Sequence, residues 1–85
     1  MSLGPLRAQL DELDAELIRL LARRAGLVQE IWAWKQANGV PRLDPAREAE
    51  LRARLLAQAE ALGLSREAIG AILERIIGVP LRSSP

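Results

Sequence analysis

The sequence predicts an all-α fold, a chain of three helices graded long, medium and short, and three observations carry that prediction. Apolar residues recur at helical spacing through most of the chain. Three segments each open on a Pro or a capping Asp or Ser and close on a Gly. No stretch alternates apolar with polar residues as a half-buried strand would, and no internal repeat or low-complexity run interrupts the pattern.

Helix 1 is expected over about residues 5–38. Gly4-Pro5 offers a start with Pro at the first helical position, and no stop follows until Asn38-Gly39 and Pro41. At 1.5 Å per residue such a helix is about 50 Å long. Its apolar residues fall on two heptad rows, Leu3, Leu10, Leu17 and Ile31 on one and Leu6, Leu13, Leu20, Leu27 and Trp34 on the other. Arg24 interrupts the first row. Gly26, inside the helix, costs about 1 kcal/mol relative to Ala and hints at close packing there.

Helix 2, about residues 45–62, opens with Asp44 as N-cap and Pro45 in the first turn, and runs through Leu51, Leu55, Leu56, Ala59 and Leu62 to Gly63. Helix 3, about residues 66–78, is capped by Ser65, carries Ile69, Ile72, Leu73, Ile76 and Ile77, and is stopped by Gly78 and Pro80. Residues 79–85 read as a tail.

The 85 residues make one domain, 1–85, too short for a large core of its own. A long helix paired with two shorter ones leaves one end of its apolar rows uncovered. A closed two-fold interface would bury those rows on both copies, so an antiparallel homodimer through helix 1 is expected.

Composition narrows the chemistry. With no His and no Cys, the chain has no imidazole base, thiolate, disulfide or usual zinc ligand set, and no metal site is expected. Thr is absent and the serines have no His to activate them, which disfavours covalent catalysis. Twelve basic against eleven acidic residues, evenly spread, give no footprint for nucleic acid or an anionic membrane. No apolar run reaches the roughly 18 residues of a membrane span and no secretory signal pattern is visible, so a cytoplasmic location is expected.

What remains is a set of charges on apolar stripes. Lys35 lies eleven residues after Arg24, about 16 Å along the helix and about 20° around it. Arg24, Val28, Ile31 and Lys35 therefore form one stripe with cations at both ends of an apolar floor, suited to a compact anion. A seam Arg paired with an acid across an interface and a snorkelling Lys remain open alternatives.

Arg7 is about 25 Å from Arg24 along the helix, so the two can share a site only between antiparallel chains; the alternative is an i, i+4 pair with Asp11. Glu48 faces the apolar stripe of helix 2, as a ligand group, as an ion-pair mate of Lys35 or Arg47, or as a first-turn acid favoured by the helix dipole. Asp44 is most simply a cap whose neighbouring N–H groups could also meet a polar ligand. Such a site can hold a dianion in one conformation and stabilise charge shifting onto an oxygen.

Leu6-Arg7 leading to Leu13-Asp14, then Leu20-Leu21-Ala22-Arg23-Arg24, then Lys35, then Asp44-Pro45-Ala46-Arg47-Glu48 resemble, in order and spacing, the pattern of the all-helical chorismate mutases. The resemblance runs from about Leu6 to Ile77 and rests on the ordered set more than on any single piece. It implies an intertwined antiparallel homodimer that rearranges chorismate to prephenate for phenylalanine and tyrosine biosynthesis, with no cofactor and no covalent intermediate.

By the same resemblance, Arg7 from the partner chain and Arg24 would pair with the two substrate carboxylates and Lys35 would donate to the ether oxygen. Glu48 and the backbone near Asp44 would hold the ring hydroxyl, and Arg47 would complete the cationic wall. The sequence departs from the family pattern at its end: Pro80 stands where members often place a Ser, and Ser84 where many carry Gln or Glu. Ser84 is thus the candidate for the second ether-oxygen contact, and an activating aromatic-pathway enzyme that orders the tail is a candidate partner. Two other readings stand beside this one, an isochorismate pyruvate lyase relative on the same scaffold and a non-catalytic helical dimerisation or regulatory module.

Overall fold

The computed structural model describes residues 2–82 and contains three helices: α1 (Gly4–Ala37), α2 (Pro45–Ala61) and α3 (Arg66–Glu74). Each boundary has a local cause. Pro5 falls in the first turn of α1, and the preceding Leu3 offers no side-chain cap. Asn38 ends α1, its Nδ2 donating to the Trp34 carbonyl at 2.8 Å, and Gly39 at φ +67° turns the chain away. Asp44 caps α2 by accepting from the Arg47 N–H at 3.1 Å, and Ser65 caps α3 by accepting from the Ala68 N–H at 3.1 Å. Gly63, at φ +79°, closes α2.

Regular α-helix in α3 ends at Glu74, short of the expected end near Gly78. Arg75 and Ile76 donate to the carbonyls three residues back, Ile72 and Leu73, so the last turn is tightened in the 3₁₀ manner before Gly78 leaves it at φ +72°.

Two short helices pack together and the long one stands apart. The core is Leu56, Leu73 and Ile77, with Leu51, Leu55 and Ile69 against it, all from α2, α3 and the turn after α3. α1 has no close backbone approach to either of the others. Its C-terminal half is tied to them by side chains and by residues 79–82, which lie across Ala25, Val28 and Trp32. Gly26 meets this segment too, since a Cβ there would come within 3.2 Å of Arg82 Nη2.

The N-terminal half of α1 is bare. Leu6, Leu13, Leu17 and Leu20 are 53, 62, 55 and 50% exposed. The chain measures 59 × 31 × 15 Å with a radius of gyration of 16.3 Å, against about 12 Å for a compact 85-residue domain.

Candidate active site

The stripe read from helical periodicity becomes one wall of a cavity of about 140 Å³. Arg24, Val28, Ile31 and Lys35 line it from α1. Facing them are Asp44, Arg47, Glu48 and Leu51 from the start of α2, and residues 76–79 after α3 form the remaining wall. The sequence makes this arrangement by two local devices. An unbroken α1 keeps Arg24 and Lys35 in register over three turns, and the Asp44 cap fixes where α2 begins, hence where Arg47 and Glu48 fall.

Each charged group is held differently. Arg24 is half-buried, and its Nη1 donates to the Ile76 carbonyl over a long 3.4 Å. Lys35, also half-buried, donates from Nζ to the Arg42 carbonyl at 3.1 Å. Glu48 is half-buried with its carboxylate beside Gly78, whereas Asp44 and Arg47 are exposed at the rim. Among the described residues the ion pair is Arg66 with Glu60 at 3.0 Å, where the end of α2 meets the start of α3. Among the described residues, then, neither Arg24 nor Lys35 nor Glu48 has an ion-pair partner, and cations outnumber acids in the cavity lining.

Arg7 is not part of this cavity. It sits exposed in the bare half of α1, about 25 Å from Arg24 along the helix. Ser84 lies outside the described residues. Reading the sequence did not single out Trp32, Arg42 or Gly78 as site residues, yet all three line the cavity. The Arg42 guanidinium lies 4.1 Å over the Trp32 ring, an arrangement that joins the loop after α1 to the helix beneath it. Trp34, in contrast, is 60% exposed. Trp32 adjoins Ile31 in sequence and so borders the stripe, but nothing in periodicity marks a loop residue such as Arg42.

A cavity with an apolar floor, several cations and one inward carboxylate, on an all-helical scaffold without His or Cys, is suited to a compact anion and to chemistry done by position and charge. The chain belongs to the chorismate mutase type II family, whose profile matches residues 6–82. Members of that family are isomerases of aromatic amino acid biosynthesis.

Among curated proteins, the T-protein of Haemophilus influenzae is 42% identical over 77 residues, covering 89% of this chain. The T-protein of Enterobacter agglomerans is 40% identical over 75 residues, covering 88% of it. The chain spans about a fifth of the length of these curated relatives, 20% in each case. No solved structure matches it significantly.

Proposed function

We propose that this domain converts chorismate to prephenate within an intertwined antiparallel homodimer, using Arg24, Lys35, Asp44, Arg47 and Glu48 of one chain and Arg7 of the other. The observation that carries the reading is the convergence of the first five on one cavity whose charges are not spent on each other. The bare leucine rows of α1 support the dimer, because they offer a long apolar strip that a second α1 would cover. An antiparallel partner would bring its N-terminal half, and with it Arg7, back toward residue 24.

The chemistry follows from the arrangement. Chorismate reacts only when its enolpyruvyl carbon lies over the ring, and two arginines clamping its two carboxylates select that folded conformer. As the ether C–O bond breaks and the new C–C bond forms, negative charge grows on the ether oxygen. The Lys35 ammonium, already steered by the Arg42 carbonyl, meets that charge without reorganising. Glu48 and the backbone near Asp44 hold the ring hydroxyl, and Arg47 adds to the cationic rim. No nucleophile, metal or cofactor enters any step. Ser84 would supply a second contact to the ether oxygen from the tail.

No helix of the described residues is long and apolar enough to cross a membrane, which fits the cytoplasmic setting we assign. The test is the fall of chorismate ultraviolet absorbance on adding purified protein, with the product identified. Prephenate upholds the reading, salicylate with pyruvate makes the domain a lyase, and unchanged chorismate in a folded dimer makes it a binding module. Turnover measured with and without a candidate aromatic-pathway enzyme tests an activating partner; equal rates argue against one.

A further inference from the structure

Gly78 stands where the chain leaves the last turn after α3, at φ +72°, and it lines the same cavity as Glu48. As a helix stop it needs only the freedom to adopt a positive φ. Its surroundings ask for more. A Cβ built on Gly78 would lie 2.5 Å from Glu48 Oε1, 3.3 Å from Cδ and 3.5 Å from Oε2. The Glu48 carboxylate thus occupies the space that an alanine methyl would take.

Gly63 gives the comparison. It ends α2 at φ +79°, and a Cβ there would meet nothing within 4 Å. The two glycines carry the same backbone demand, and Gly78 carries a steric one besides. Glu48's backbone is anchored in the first turn of α2, its N–H donating to the Asp44 carbonyl at 3.0 Å. Its carboxylate is the free end of a flexible side chain. A methyl at position 78 would therefore displace the carboxylate and leave the helix where it is.

We propose that Gly78 is a positioning residue for Glu48, its bare α-carbon giving the carboxylate its seat against the turn after α3. The proposal rests on the reading of Glu48 as the group that holds the substrate's ring hydroxyl. Moving that oxygen by about 1 Å is enough to reduce turnover by about 10- to 100-fold. The effect should act through Glu48 and nothing else.

The experiment measures kcat/KM and melting temperature for Gly78→Ala, Gly78→Asn and Gly63→Ala in the otherwise native chain, and for Gly78→Ala on a Glu48→Ala background. Asn tolerates positive φ better than Ala while still carrying a Cβ, so it separates the clash from backbone strain. We expect Gly78→Ala and Gly78→Asn to lose about 10- to 100-fold in kcat/KM. Gly63→Ala should show a similar drop in melting temperature to Gly78→Ala and native activity. On the Glu48→Ala background, Gly78→Ala should cost no further activity, because the group it displaces is gone. Equal losses on both backgrounds would overturn the proposal by showing that Gly78 acts through the fold. Native activity in Gly78→Ala alongside a large loss in Glu48→Ala would overturn it while leaving the role of Glu48 intact. Native activity in Glu48→Ala would instead remove Glu48 from the site, and this proposal with it.

Discussion

Lys35 carries the heaviest chemical load of any single residue in the proposed mechanism. Its ammonium is half-buried and hydrogen-bonded to a carbonyl, so it is oriented without being neutralised by any acid among the described residues. Removing one such donor from an enzyme site costs about 10²- to 10³-fold in kcat. Lys35→Ala should lose about that much while keeping its helical circular dichroism, since the side chain fills no core position; near-native turnover would exclude Lys35 from the reaction.

Arg42 offers a second residue-scale prediction. Its stacking over Trp32 is worth about 0.5–1 kcal/mol, so Arg42→Ala should lower the unfolding free energy by about that amount in a denaturant titration. These two residues also mark the limit of reading the sequence. Lys35 was legible because it shares a helical stripe with Arg24, and regular spacing fixes both. Arg42 and Gly78 were not, because their contacts arise only when a loop and a turn meet α1 and α2 in space.

At the scale of elements, the helices were legible wherever short-range chemistry decides the matter. Asp44 and Ser65 cap as their residue types require, and Gly39 and Gly63 turn the chain where expected. The end of α3 was not, because the run Ile76, Ile77 continues the apolar period while hydrogen bonding has already tightened after Glu74. Asp44→Ala should cost about 1 kcal/mol through loss of the α2 cap, and Asp44→Asn, which keeps an accepting oxygen, much less; equilibrium unfolding separates the two. Ile77→Ala removes a buried side chain, 6% exposed, from the core shared with Leu56 and Leu73, and should cost about 2–5 kcal/mol.

At the scale of the molecule, the proposed dimer makes one chain half of the working object. Its main core cluster lies in α2, α3 and the turn that follows, with Ala25 the buried residue of α1, while the front half of α1 displays leucines to solvent and carries Arg7, which the proposed mechanism assigns to the partner's cavity. The two heptad rows announced this surplus in the sequence, and the extended shape of the chain restates it in space. If a second copy covers the rows, Leu13→Glu should abolish association in sedimentation and make the remaining monomer far less stable, although Leu13 is 62% exposed in the single chain. In a stable monomer the same change would matter little.

The central claim is that each site draws on two chains, and subunit mixing tests it most directly. Arg7→Ala and Lys35→Ala chains, each inactive alone, are unfolded together in equal amounts and refolded. A random mixture is half heterodimer, and each heterodimer carries one intact site of two, so about a quarter of the native specific activity should return. Activity no greater than the sum of the separate variants, with heterodimers shown to form, would contradict the account.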